Sequence, residues 1–248
     1  MEKLVIYDQA LVAYLDILGF RELVQTETAG RISRTIRVVR DAVKPTRDRR
    51  RVYEMTYQSF SDLTVISIPI LTAANLTIRP GVLLSQIHRL AAAQVELLYE
   101  GIVLRGALTF GSIVRSYGQL FGPALIRAYD LERTKAKYPR IVIDDVIFRE
   151  LERNPALATH SDERDQILSL LEQDDDGYHF IDCLRAFRLN TDARSFRKIM
   201  RRHRETIKMK LHKFEDERGV LEKYTWLAEY HNRSVKKLRM RRQESILI

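Results

Sequence analysis

The sequence predicts an α+β sandwich: a sheet rich in antiparallel pairing, helices on one face, and a C-terminal helical extension. Three observations predict it. Two apolar, β-rich runs, Val12 to Phe20 and Tyr57 to Ile66, each carry one aspartate at an edge, Asp16 and Asp62. The strands Val52–Phe60 and Leu63–Pro69 lie so close that they must fold back as a tight hairpin with Ser61-Asp62 at its tip. Val82 to Leu98 puts Leu83, Leu84, Ile87, Leu90, Ala91, Val95 and Leu98 on one side of a strong amphipathic helix.

The elements follow in order. Residues 10–18 read as a buried strand closed by Gly19, and Arg31 to Val43 as a helix carrying Ile32, Ile36, Val39 and Val43. Pro45 and the charged Arg47–Arg51 form a turn before the hairpin. Gly101 ends the long helix. Ile102–Phe110 is a strand broken at Gly106 and Gly111, Tyr117 to Gly122 a short hairpin or bulge. Pro123 opens the helix Ala124–Lys137, Pro139 stops it, and Arg140–Ile143 is a short strand. This order, β-α-β-β-α-β-α-β, places the hairpin at the centre of the sheet. Val146–Leu151 continues as helix, Asn154–Glu163 as polar loop, Gln166–Glu172 as a short helix, and Tyr178–Cys183 as a last strand. Phe196, Ile199, Met200, His203, Ile207, Leu211 and Phe214 stripe one further helix, and Gly219 separates it from Leu221–Leu238. The expected division is a core over 1–145, connecting helices and a strand of the same domain over 146–190, and the extension with its basic tail over 191–248.

With 45% apolar and 30% charged residues, the composition is that of a soluble globular chain. No apolar stretch approaches the roughly 20 residues a membrane span needs, and the N-terminus lacks a signal peptide's apolar core. One cysteine, Cys183, excludes an intramolecular disulfide, so a cytoplasmic protein is expected. The net charge of +9 gathers at Arg47–Arg51, Arg194–Lys213 and Lys236–Arg242. Such clusters can bind nucleic acid by counterion release, but no interleaved aromatics build a stacking platform. Solvated helix faces and a basic terminus account for them, which leaves nucleic acid as the runner-up partner class. The histidines and the cysteine show no zinc spacing, and Asp174-Asp-Asp176 reads as a turn.

The chemistry is carried by the two aspartates. A carboxylate at the edge of a buried strand is costly unless paired or bound to a cation. On neighbouring strands, Asp16 and Asp62 would offer hard oxygen ligands to Mg²⁺ or Mn²⁺ beside a nucleotide's phosphates. Each alone also suits a helix cap or a turn.

Asp16-Ile-Leu-Gly-Phe20, Phe60-Ser-Asp62, Leu104-Arg-Gly-Ala107 with Gly111, and Gly122-Pro-Ala-Leu125 through Pro139-Arg-Ile-Val142 occur in the order of the class III nucleotide cyclases. The resemblance covers about residues 8–145. Within that superfamily the chain is most similar to the pyrimidine cyclases of the Pycsar anti-phage system, whose tails Lys223-Tyr-Thr-Trp-Leu-Ala-Glu-Tyr-His-Asn232 resembles. The resemblance implies a palm-like fold, a head-to-tail homodimer with active sites between subunits, and conversion of UTP or CTP to a 3′,5′-cyclic nucleotide. It implies two metal ions on Asp16, Asp62 and the carbonyl of Ile17, with Gly19, Phe20 and Arg140 at the triphosphate. It also implies a separate effector protein that reads the product, and no membrane partner.

Base recognition departs from the purine cyclases, and Tyr57 and Arg105 resemble the pyrimidine pair. The family's Asn and Arg on the helix after Gly122 are replaced by Ile126 and Asp130. Arg127, or Lys135 and Lys137 at the helix end, are the substitutes in reach. The alternatives are a purine cyclase with an altered pocket, and a degenerate palm domain that binds nucleotide or nucleic acid without turnover.

Overall fold

Strand β1 (Asp8–Ile17) alternates two apolar sets, Ala10 and Val12 against Leu11, Ala13, Leu15 and Ile17, so both its faces must be buried. The computed structural model describes residues 6–116, 118–240 and 244–247. In it β1 lies mid-sheet, antiparallel to its two neighbours, β3 (Leu63–Pro69) and β4 (Leu104–Ser116). The sheet order is β2 (Thr56–Phe60), β3, β1, β4, β6 (Ile141–Ile143), β8 (His179–Ile181), β7 (Leu171–Gln173), with β5 (Gln119–Phe121) folded back on β4. Only β4 and β6 pair in parallel among the described strands. The hairpin β2–β3 therefore sits at an edge, not at the centre, because the doubly apolar β1 takes the middle place.

Helices α1 (Phe20–Thr26) and α2 (Ala29–Val43) follow β1. Arg47–Arg51, expected as a turn, belongs to a short helix α3 (Arg47–Val52): the Thr46 hydroxyl accepts from the Arg49 N–H and caps it. That helix also delays the start of β2. A short α4 (Ala73–Thr77) precedes α5 (Val82–Tyr99), which is buried along most of its length and packs against α2. Then come α6 (Pro123–Thr134), α7 (Asp145–Arg153), α8 (Glu163–Ser169), α9 (Cys183–Leu189), α10 (Ala193–Lys213) and α11 (Arg218–Lys237). The short α4, α9 and β7 were not expected. Tyr117 and residues 241–243 of the basic tail lie outside the described residues.

The main core joins α5 to the sheet and takes in the C-terminal helices: Phe196, Met200, Ile207, Phe214, Trp226 and Tyr230 share one cluster with Leu15 and Ile87. The other face of the sheet carries α6, a departure from helices on one face alone. Its core is small, Ala10, Val12, Val65, Ile113, Ala124 and Ala128, and the alanines bring α6 close to β1 and β4. No described helix is long and apolar enough to cross a membrane.

Candidate active site

Asp16, one residue from the end of β1, points to the α6 face with Ala10, Val12 and Tyr14. Directly opposite it on β4 stands Arg105. Asp62 occupies the two-residue turn between Phe60 and Leu63, where Ser61 takes a left-handed φ of 55°. Carried two pairs past Leu15 and Thr64, the β1–β3 register sets Asp62 beside Ile17. The Asp62 carboxyl, in the turn beyond that ladder, lies close enough to Asp16 to raise it. Next to Arg105, Gly106 lets β4 approach β1: a Cβ there would sit 2.3 Å from the Tyr14 carbonyl oxygen.

Arg105 donates to Asp16 Oδ2 from Nε (3.0 Å) and Nη2 (2.8 Å), and Nη2 lies 2.7 Å from Glu132 Oε1. Tyr14 meets Tyr129 of α6 edge-on at 5.8 Å. Burial, with Asp62 adding to it and Arg105 opposing it, pushes the Asp16 carboxyl up to about 6. Burial also raises Glu132, again with Asp62 adding and Arg105 opposing. The Tyr14 hydroxyl is pushed up to about 12 by burial and then by the charges of Glu132 and Asp16. Negative charge is crowded here.

That crowding tests whether a divalent cation fits. Two hard carboxylates converge, Asp62 adds to the cost of ionising Asp16, and a cation would relieve it. Among the described residues no three His, Cys, Asp or Glu side chains form a self-sufficient metal cage. One or two carboxylates, with substrate phosphates completing the shell, is the donor set that suits Mg²⁺ or Mn²⁺. The residues fit that use.

The other expected site residues divide. Ile17 is at the strand end with its side chain in the main core, and Gly19 turns the chain at φ 80°. Phe20 packs on the main core. Tyr57 is the correction that matters most. It pairs with Ile66, which pairs with Ala13, so it shares the helical face and lies behind the sheet from Asp16. The side chain that the register places on the Asp16 face is Gln58, opposite Val65; its Nε2 donates to the Gly118 carbonyl at 2.7 Å.

Arg127 is held away from Asp16. Its Nε and Nη2 each donate at 2.9 Å to Asp144, which also accepts from the Thr109 hydroxyl at 2.6 Å. Thr109 is four residues along β4 from Arg105, roughly 13 Å at strand rise. Arg140 is also withdrawn: its side chain is fully buried between Asp174 and Asp176, so a phosphate could reach it only by displacing both. Lys135 stacks over the Tyr178 ring at 5.0 Å, and Lys137 is exposed. Sequence reasoning missed Glu132. The signal was present: Ala124, Ala128 and Glu132 recur every fourth residue on the buried face of α6.

No protein-family model matches the chain, and no curated protein matches it. Solved structures do. The adenylyl cyclase CyaB from P. aeruginosa is 13% identical over 72% of this chain and 96% of that one, with a TM-score of 0.46. The monomeric guanylyl cyclase domain of the RhoGC fusion protein, from the aquatic fungus Blastocladiella emersonii, is 15% identical over 71% of this chain and 95% of that one, at 0.42. So remote a likeness assigns no role to any residue of this chain.

Proposed function

We propose that this chain is a metal-dependent nucleotide cyclase acting on a pyrimidine nucleoside triphosphate, UTP ahead of CTP. The observation that carries the chemistry is the convergence of Asp16 and Asp62, against which Arg105 is the one cation bonded to Asp16 among the described residues. Asp16, Asp62 and the Ile17 carbonyl would hold two Mg²⁺ or Mn²⁺ ions. Bound there, the ions neutralise phosphate charge and ease ionisation of the ribose hydroxyl. The 3′-oxygen attacks the α-phosphorus in line, and the α–β bridging bond breaks. Pyrophosphate leaves with the electron pair, and the hydroxyl proton goes to water.

The chain's own contribution is positioning. Glu132 anchors Arg105 from α6, which leaves one Nη1 donor on Arg105 to reach a carbonyl oxygen of the base. Gly19 turns the backbone where the phosphates would approach. Phe60, Phe121, Ile126 and Tyr129 are exposed around α6 and the hairpin, which supports a homodimer closed over this face. In such a dimer the site lies between subunits. An effector that reads the cyclic nucleotide, and a role in anti-phage defence, belong to this proposal through the resemblance alone.

One observation favours a second reading, a purine cyclase: Tyr57, expected to fill the space of a purine ring, lies behind the sheet. The test is to incubate the protein with each of the four ribonucleoside triphosphates and Mn²⁺ and to separate the products by chromatography. A cyclic pyrimidine nucleotide that vanishes in Asp62→Ala supports the proposal. A cyclic purine nucleotide selects the second reading, and no cyclic product from any triphosphate sinks both.

A further inference from the structure

Behind the Gly19 turn, α1–α2 and α10–α11 face each other across a cleft of about 840 Å³. That is ample for a small ligand. Leu23 and Val38 line one wall, Met209, Val220 and Tyr224 the other. Charged groups gather between them. Lys213 is paired with Glu22 at 2.9 Å and Arg31 with Glu27 at 3.3 Å, while Arg34 and Glu100 complete the lining.

Lys210 and Lys223 are different. Among the described residues neither makes a salt bridge, yet both are partly buried in the cleft. The Lys210 ammonium rests over the Phe214 ring at 5.4 Å and the Tyr224 ring at 6.0 Å. Burial lowers both lysines, aided at Lys210 by Lys213 and at Lys223 by Arg105. Glu22 and Glu27 near Lys210, and Glu222 and Asp16 near Lys223, oppose that lowering without an ion pair to either lysine among the described residues. A half-buried ammonium without a bonded counter-ion is costly, and a bound anion removes that cost. The cleft also has a direction. Ile17, Leu18 and Gly19, which follow Asp16, form its inner end, and Lys223 is near enough to Asp16 and Arg105 to feel their charges.

We infer that Lys223 and Lys210, presented by the C-terminal helices, form a condensed-phosphate site beside the Asp16–Asp62 pair. It takes the β- and γ-phosphates of the nucleoside triphosphate and then the pyrophosphate left by cyclisation. The assignment of a substrate tail rests on the cyclase reading; the anion site rests on the cleft alone. The extension is then part of the catalytic unit, and it supplies from α10 and α11 the cations that α6 lacks.

The test is calorimetric titration of the full chain with inorganic pyrophosphate in metal-free buffer, with uridine monophosphate as the single-phosphate arm. Lys210→Met and Lys223→Met keep the apolar stem and remove the charge. Each is expected to weaken pyrophosphate about tenfold, with the monophosphate bound far more weakly throughout. Lys208→Met, exposed on α10 outside the cleft, should leave binding unchanged. No binding to the unmodified chain, or cleft variants that bind pyrophosphate as tightly as the unmodified chain, overturns the site.

With triphosphate, the cleft variants should raise KM and weaken product inhibition by pyrophosphate together. A KM that stays fixed overturns the substrate-tail assignment. If pyrophosphate binds through the lysines while no triphosphate is cyclised, the anion site stands and the cyclase reading falls. If cyclisation proceeds and neither measurement responds to the lysines, the cyclase reading stands and the cleft assignment falls.

Discussion

Arg105 and Arg140 are neighbours across the β4–β6 ladder, one place before the pair Gly106 and Ile141, yet they sit in opposite kinds of site. Both clip the exit of α6, Arg105 through the Ala136 carbonyl (3.3 Å) and Arg140 through that of Lys135 (3.0 Å). Both lie between two carboxylates. Arg140 is sealed under Tyr138, Phe180 and Trp226, and its network is balanced. There Asp174, Asp176 and Glu172 meet Arg140, Arg233 and Lys237. Arg105 is 23% exposed and faces Asp16, Glu132 and the nearby Asp62 with no second cation bonded to them among the described residues. The same side chain is structural where charges cancel under a lid. Where they do not cancel and the lid is missing, the proposed function places an incoming cation.

The largest effect tests the open site. Asp62→Ala should cut cyclic-nucleotide formation at least ~10³-fold, as loss of several kcal/mol of transition-state charge stabilisation requires. The melting temperature of the metal-free protein should hold or rise, because a repulsive neighbour of Asp16 is gone. A large fall in melting temperature would make Asp62 structural and erase the contrast.

Next comes the sealed site. Arg140→Met strands two carboxylates and should cost about 3–5 kcal/mol in denaturant unfolding. Arg105→Met, at a side chain that is part-exposed together with its partner Asp16, should cost about 1–2 kcal/mol. Equal costs would break the comparison. Between the two arginines, Gly106→Ala should cost about 1–3 kcal/mol by forcing β4 off β1.

A third sealed group sharpens the role of burial. His203 and His231 face each other at 3.2 Å between Nδ1 atoms, with Arg204 and Glu244 at their edge. Burial lowers both, and the charge of His231 lowers His203 further. Protons then bind the unfolded chain first. Their contribution to stability is whole above pH 6.5, the ordinary value, and drains as pH falls below it. Melting curves from pH 7.5 to 5 should show this slope, and His203→Gln should flatten it. An unchanged slope would assign it to other groups.

Much of this was legible in the sequence. Periodicity located β1, α5 and α6, and the two aspartates announced themselves by interrupting apolar runs. Tyr57 was misplaced for a physical reason: α3 shifts the start of β2, and which face a strand residue occupies depends on pairing register, which flips with every residue. The withdrawal of Arg140 was hidden because its partners lie 34 and 36 residues on, in a turn read correctly as a turn. Glu132 was readable from its four-residue spacing but was passed over. The docking of α10 and α11 onto the Gly19 end left no local signal beyond their apolar stripes.

Trp226, the chain's single tryptophan, stacks on Tyr138 at 5.6 Å and donates its indole N–H to Asp174 at 2.6 Å. It lies three residues past Lys223 on the same helix, so its emission gives an optical readout of that helix. A blue-shifted, partly quenched signal reports α11 seated against the sheet. A red shift on chelation, dilution or addition of nucleotide would report it lifting, with no label attached.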